Sequence, residues 1–390
     1  MNSPHITVMI PVYNMKGVIG RAIESVLSQD YSALELMVLD GGSTDGTLEV
    51  IKKYEDRIGY FVSEKDEGPS AAMAAHIASA TGDYVTMLGA DDYYEDGAVA
   101  AAAAVLSAEE PDVAYGDCNY FYPDGRKLRK NANSRGLDNL YYYNSLFSNA
   151  VFVRKQLLED YYKNEWMQVR DNVDISTDHL LWLLLYNRGR KFSYIESERA
   201  LTNYAVSGRS SVNEFIGCMD DEYIINMVLK DDPKAREKYM PVFNRYLAAR
   251  SVLYYRDVVG KERFHEEIAK GVNPEGRYVI FGIGDMSRKV LELLEICGIK
   301  PEYFVDNNAG KNDRSYFGYD VYTPARLVDE KDVTVIISAL GNEEVIRQQM
   351  AGLELSPTVE FMDYSDWALD VQNVFGTKTL REAWKAGAVR

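Results

Sequence analysis

What most constrains this chain of 390 residues is an alternation of strand-length apolar runs with helix-period segments that occurs twice along its length. In the first block, residues 6–13, 34–40, 58–63 and 84–88 read as strands, and residues 18–28, 46–54 and 70–80 as the helices between them. This is βαβ winding. Runs such as Leu36-Met37-Val38-Leu39 are apolar throughout, as expected of strands covered by helices on both faces of a mostly parallel sheet. Ligands on open sheets of this kind sit at the carboxyl ends of the strands, so the residues that close each run are the ones to inspect.

A second block opens at Arg277, after the turn-rich stretch 271–276. Its expected strands are 278–283, 303–306, 334–339 and 359–362, with helices at 285–297, near 325–329 and at 342–350. Between the blocks, 113–115 and 151–153 read as strands separated by an aromatic loop containing Tyr141-Tyr142-Tyr143. Residues 176–187 read as a leucine-rich helix, 191–205 as one extended segment and 214–270 as tyrosine-rich helices. The expected organisation is an α/β domain over 1–215, a helical spacer over 216–275 and a smaller Rossmann-like parallel-sheet domain over 276–390.

Charge and cysteine usage narrow the function classes. With 43 basic and 60 acidic residues the net charge is −17, which argues against a general nucleic-acid binder or a polybasic membrane clamp. An acidic chain needs a metal or local donors to hold a phosphate. Cys118, Cys218 and Cys297 are too widely spaced for a disulfide framework or a zinc site, which fits a reducing compartment. The four histidines are scattered, so any divalent cation must be held by carboxylates. Residues 1–10 lack the charged start and apolar core of a signal peptide, and the longest apolar stretch, 98–106, is a short alanine-rich helix. These features point to the cytoplasm, with peripheral association at the inner face of a membrane left open.

The strand ends of the first block carry the chemistry. Pro11, Tyr13 and Asn14 close the first strand, and Asp40-Gly41-Gly42-Ser43 closes the second, where an acid can accept from a base or a ribose. Asp66 and Gly68 lead into a helix whose N-terminus offers N–H groups to an anion. Asp91 and Asp92 leave the fourth strand as hard oxygen donors of the type a Mg²⁺ or Mn²⁺ requires. Taken singly, these are also ordinary turn and capping residues.

Residues 1 to about 210 resemble a family 2 glycosyltransferase of the GT-A fold. The resemblance rests on Thr7-Val8-Met9-Ile10-Pro11-Val12-Tyr13-Asn14, on Ser25-Val26-Leu27-Ser28-Gln29, on residues 38–47, on Ala80-Thr81-Gly82-Asp83-Tyr84-Val85 and on Gly89-Ala90-Asp91-Asp92. It implies that Pro11, Tyr13 and Asp40 hold the nucleoside, with Asp40 near the base, and that Asn14, Asp66 and Gly68 belong to the donor site. It implies further that Asp91 meets the ribose and diphosphate, and that Asp92, with Asp91 beside it, ligates the cation. Asp178, in Ser176-Thr177-Asp178-His179, lies where inverting members keep a catalytic carboxylate. The alternative for Asp178 is a helix cap, and Asp171 and Asp174 are alternatives for the base. Arg209, in a glycine-serine tail at 204–211, is a candidate neighbour of the diphosphate. Two departures stand out: Gly89 replaces the first aspartate of the metal motif, and Ala71-Ala72-Met73-Ala74-Ala75-His76 replaces a more polar helix.

In the second block, Gly282-Ile283-Gly284-Asp285-Met286-Ser287 follows a strand and opens a helix, and Asp306 closes the next strand. The stretch 276–365 resembles the small Rossmann-like domains attached to sugar acyltransferases. That resemblance implies a nucleotide or nucleotide-sugar site at Gly282, Gly284, Asp285 and Asp306, or a scaffolding role. The expected function is metal-dependent, inverting transfer of a sugar from a nucleotide donor, a UDP-sugar before others, to a glycan or lipid-linked acceptor in surface polysaccharide assembly. Two rivals are a degenerate nucleotide-sugar scaffold and a nicotinamide oxidoreductase built on the second block. Oligomeric state is left open.

Overall fold

The computed structural model describes residues 3–122, 125, 127–132, 136–206, 214–307 and 315–386. Arg209 with the rest of 207–211, Pro123, Asp124 and Asn308 lie outside them. The chain divides into two compact units, Met1–Asp231 and Asp232–Arg390. The expected spacer is therefore shared out: the helix Glu214–Val228 belongs to the first unit, and the helices from Pro233 onward belong to the second.

In the first unit the strands are β1 (Ile6–Val12), β2 (Leu34–Asp40), β3 (Tyr60–Ser63), β4 (Tyr84–Met87), β5 (Tyr93–Tyr94) and β6 (Val113–Gly116). They continue with β7 (Cys118–Phe121), β8 (Lys127–Lys130), β9 (Val151–Arg154), β10 (Phe192–Ile195) and β11 (Thr202–Ala205). Seven of them form one sheet in the order β10-β6-β9-β4-β1-β2-β3. All neighbours are parallel except β9, which runs antiparallel to both β4 and β6. This is the GT-A-like α/β sheet that the resemblance implies.

The core explains why β1 is central. Ile6, Val8 and Ile10 point to one face and pack with Ile19, Ala22, Ile23 and Val26 of the helix Ile19–Leu27, all essentially inaccessible to water. Each of the buried Ile and Val side chains contributes about 1.5–3 kcal/mol by leaving water. The chain winds outward from β1 in both directions, so the strand order reverses between β1 and β4, and the crevice at their carboxyl ends is the natural ligand site. Register brings Val12 beside Asp40 and Asp40 beside Ser63.

The segment 191–205 is not one extended piece. It divides into β10, which borders the large sheet, and β11, which pairs with β5 and β7 in a second, four-stranded sheet ordered β5-β11-β7-β8. That small sheet lies directly after the Asp91-Asp92 turn in the chain, because β5 begins at Tyr93.

The second unit has β12 (Arg277–Phe281), β13 (Tyr303–Val305), β14 (Ser315–Tyr316), β15 (Tyr319–Tyr322), β16 (Val333–Ile337) and β17 (Val359–Asp363). Their order is β14-β15-β13-β12-β16-β17, parallel except for the β14–β15 hairpin. It is a smaller, doubly wound sheet with β12 at its centre, as the sequence indicates. Two C-terminal helices, Tyr364–Phe375 and Thr377–Lys385, complete it.

Candidate functional site

Asp40, at the end of β2, is 2% exposed. Its Oδ2 accepts from the Gly42 N–H at 3.1 Å, the Ser43 N–H at 3.0 Å and the Ser63 hydroxyl at 2.7 Å. Its Oδ1 is buried and has no hydrogen-bond partner. A buried carboxylate oxygen left without a donor costs more than 1–3 kcal/mol, so this atom is poised to accept one N–H or O–H from a ligand. Asp40 lines a cavity of about 200 Å³ together with Asp66 and the alanine face of the next helix, Ala71, Ala72 and Ala75. The alanines that depart from the family pattern thus form a wall, and their small side chains leave the space open.

The loops around this cavity are tightly knit. A side chain at Gly41 would put its Cβ 2.9 Å from Asp66 Oδ2, so the Asp66 carboxylate would have to shift to admit one. Asp66 Oδ1 accepts from the Gly68 N–H at 2.8 Å, which shapes the entry into the helix Pro69–His76. His76, also on the cavity wall, is held by the Tyr60 hydroxyl at 3.1 Å and by Glu64 at 3.2 Å. At the end of β1, Asn14 donates its N–H to Ser43 Oγ and accepts from the Thr44 N–H, both at 2.8 Å. Tyr13 beside it is 57% exposed, leaving its ring face available, and Pro11 is half-buried.

Asp91 and Asp92 are adjacent in sequence but opposite in setting. Asp91 is half-buried, and burial raises its pKa above the usual carboxylate range. Its carbonyl oxygen accepts from Arg21 at 2.7 Å, and the Arg21 guanidinium stacks 4.3 Å over the Tyr93 ring. Asp92 is 4% exposed and has both carboxylate oxygens engaged, Oδ1 by the Ala205 N–H at 3.0 Å and Oδ2 by the Asn149 amide at 3.1 Å. Burial, followed by repulsion from Asp91, pushes its pKa up to about 7. In this arrangement Asp92 fastens β11 to the turn, while Asp91 is the less buried acid of the pair. A Cβ at Gly89 would fall 2.8 Å from Asp92 Oδ2 and 3.1 Å from Asp91 Oδ1, so a third carboxylate does not fit there without displacement. Among the described residues no group of three His, Cys, Asp or Glu side chains is assembled for a metal.

Asp178 is the second residue of the helix Thr177–Asn187, whose N-cap is Ser176. The alternative reading of Asp178 as a cap therefore does not hold. Its Oδ2 accepts from the Asn144 amide at 2.9 Å and from the Ser148 hydroxyl, and its Oδ1 from the His179 N–H at 2.9 Å. A carboxylate in the first helical turn is favoured by the unpaired N–H groups there. The Ser70 and Thr177 hydroxyls meet at 2.7 Å, so the start of this helix is joined to the helix that lines the Asp40 cavity. Asp171 and Asp174, the other candidate bases, lie exposed on the preceding loop.

The glycine loop of the second unit is closed by its own domain. The Ile283 N–H donates to Asp306 at 3.1 Å, the Gly284 N–H to Ser287 Oγ at 2.8 Å, and Tyr316 donates to the Gly284 carbonyl at 2.8 Å. Ser287, standing where a third glycine is expected, caps its own helix. Two of the backbone donors that would face a pyrophosphate are used internally, and the Asp306 carboxylate is drawn to the loop. Of the residues expected to form a ligand set, Gly282, Gly284, Asp285 and Asp306, Gly284 and Asp306 take part in these internal contacts and Asp285 stands exposed at the helix start.

Ser63 could have been anticipated as a partner of Asp40 from strand register, since both close parallel neighbours. Asn144, Ser148 and Asn149 carry no such signal. They lie in the aromatic loop before β9, and only the fold brings them to Asp178 and Asp92. The aromatics of that region pack together: Tyr120 contacts Tyr204 and Phe147, and Tyr141 contacts Tyr186.

Residues 7–172 match the family described as Glycosyl transferase family 2. The chain is 29% identical over 143 residues to an uncharacterized glycosyltransferase of Haemophilus influenzae, covering 36% of this chain and 57% of that protein. It is 30% identical over 167 residues to a PGL/p-HBAD biosynthesis glycosyltransferase of Mycobacterium tuberculosis, covering 40% of this chain and 62% of that protein. It thus spans about 57–62% of the length of these curated relatives. Among solved structures, S. aureus TarS 1-349 in complex with UDP-GlcNAc is 17% identical with a TM-score of 0.49, over 98% of this chain and 92% of that one.

Proposed function

We propose that this chain, whose residues 7–172 carry a family 2 glycosyltransferase domain, transfers a sugar from a nucleotide sugar to an acceptor hydroxyl with inversion at the anomeric carbon. The observation that carries the reading is the unpartnered Oδ1 of Asp40, a residue that lines a cavity at the switch point of the sheet. With Oδ2 saturated by three donors, Asp40 offers one oxygen to one N–H. That suits the single imide N–H of a uracil and supports a UDP-sugar as donor.

Asp178 is the general base. Asn144 and Ser148 hold its Oδ2, so the carboxylate is oriented before an acceptor arrives, and it takes the proton of the attacking hydroxyl as the new glycosidic bond forms and the bond to the diphosphate breaks. The residues fit a divalent cation in a limited way: Asp91 supplies one carboxylate, and Mg²⁺ or Mn²⁺ commonly takes one or two from the protein and the remainder from phosphates and water. When bound, such a cation would neutralise charge on the departing diphosphate. Arg21 fixes the turn by holding the Asp91 carbonyl, which sets where the Asp91 carboxylate can reach.

A lipid-linked or glycan acceptor and a place in surface polysaccharide assembly accord with this chemistry. Among the described residues no helix is long and apolar enough to cross a membrane, so a lipid-linked acceptor would be met from the membrane surface. The test is UDP release from a panel of UDP-sugars with Mn²⁺ and candidate acceptors. Release that requires acceptor and is lost in Asp178→Asn supports the reading; retained transfer in that variant rejects Asp178 as the base. A binding-only protein is the second reading, favoured by the lack of room for an acid at Gly89. It predicts nucleotide binding that is indifferent to Mn²⁺ and to Asp91→Ala.

A further inference from the structure

The helix Glu214–Val228 buries two consecutive carboxylates, Asp220 at 0% exposure and Asp221 at 3%. Taking a carboxylate out of water costs several kcal/mol unless it is well partnered, so the partners of this pair are informative. Asp220 Oδ2 accepts three successive backbone N–H groups, those of Asp174 at 3.0 Å, Ile175 at 2.8 Å and Ser176 at 3.0 Å. Asp221 meets His179 Nδ1 at 2.7 Å, and His179 Nε2 lies 2.7 Å from the Leu140 carbonyl oxygen. A carbonyl only accepts, so Nε2 carries a proton. Burial opposes a charged ring, but the Asp221 carboxylate at Nδ1 outweighs it and raises the His179 pKa above its usual value.

These contacts bracket Asp178. The three amides immediately before its helix are gathered on Asp220, and the residue immediately after it is pinned through His179 to Asp221. The Leu140 carbonyl that receives His179 belongs to the turn Leu137–Tyr141, which leads into Asn144 and Ser148, the side chains that hold Asp178 Oδ2. One helix therefore fixes both the carboxylate and the segment that orients it.

We propose that Asp220 and Asp221 are positioning residues for Asp178, holding its carboxylate where the acceptor hydroxyl must be deprotonated. The proposal rests on the reading of Asp178 as the base. A clamp of merely structural value would change melting temperature alone. A positioning clamp lowers turnover while the nucleotide, bound at the Asp40 cavity, is held as before.

The experiment uses the full chain with Mn²⁺ and the UDP-sugar that supports the fastest UDP release. Asp220→Asn retains one oxygen for the three amides, and Asp221→Asn retains an acceptor for His179, so both are expected to fold. Each is expected to lower kcat by about 10–100-fold, since an ångström of misplacement costs about 100-fold, with the KM of the UDP-sugar unchanged within about twofold. Hydrogen exchange should quicken at the amides of 174–176 in Asp220→Asn. The His179 pKa, followed by its ring ¹⁵N shifts, should fall in Asp221→Asn. Wild-type turnover in both folded variants, or a loss carried by KM, overturns the proposal. If the wild-type chain binds UDP yet releases it from no donor, the transferase reading itself fails. The positioning proposal then falls with it, whereas wild-type turnover in the folded variants of an active chain overturns the positioning proposal alone.

Discussion

Both units wind a parallel sheet outward from a central strand, β1 in the first and β12 in the second, and both place an aspartate at the end of the neighbouring strand. They treat that aspartate in opposite ways. Asp40 keeps one buried oxygen without a partner and lines a cavity. Asp306 accepts from the Ile283 N–H of its own glycine loop, while Ser287 and Tyr316 bond to Gly284. The difference teaches that a strand-end acid is a site only when the fold withholds its partners. The same lesson separates Asp91, the less buried of its pair, from Asp92, whose two oxygens are consumed by Ala205 and Asn149.

The contrast can be broken or sharpened by measurement. The largest effect is expected from Asp178→Asn, which should lower UDP release in the presence of acceptor by about 1,000-fold, within the range of a lost general base, while UDP affinity measured by calorimetry stays within about twofold. Next, Asp40→Ala should weaken UDP binding by about 10–100-fold, the consequence of losing one hydrogen bond to a charged group of about 1.5–3 kcal/mol. In that background NAD(H) should give no thermal shift; a clear shift would mean that the second sheet binds a dinucleotide.

A smaller effect concerns pH. Burial pushes the Asp220 pKa up to about 6, against the pull of three backbone N–H groups, and Asp221 with its partner His179 faces the same helix turn. The folded chain keeps this proton while the unfolded chain releases it near pH 4, so the folded state binds more protons between about pH 4 and 6. Stability from this group is full below that window and falls as pH rises through it. Asp220→Asn should flatten the fall in urea midpoint across that range, and an unchanged slope would assign it to other acids. The smallest expected effect is in the closed loop: Ser287→Ala removes a helix cap and should lower the stability of the chain by about 1 kcal/mol in urea titrations, without altering UDP binding.

The readable parts of the fold were those with long apolar runs. β1, β2 and β4 are buried along most of their length and were placed within a residue or two from the sequence. The four-stranded sheet was not, because its strands span two to four residues and show no sustained alternation. The antiparallel direction of β9 was equally hidden, since Val151-Phe152-Val153 is as apolar as any parallel strand and direction is a property of the connection. At the site, Asp40, Asp66, Asp91 and Asp178 were legible as acids closing strands or opening a helix. The partners that give each its character were not, because they come from distant segments: Ala205 lies 113 residues from Asp92 and Asp220 lies 44 residues from Ser176.

By itself, then, the sequence determined the winding of two α/β sheets and the strand ends at which chemistry can occur, because burial of apolar runs and the reach of a βαβ unit are local. Only the tertiary structure decided which of the acids at those ends is open to a ligand and which is spent on the fold. Whether a carboxylate has a free oxygen depends on the donors packed around it, and those donors are supplied by chain segments that only folding brings together.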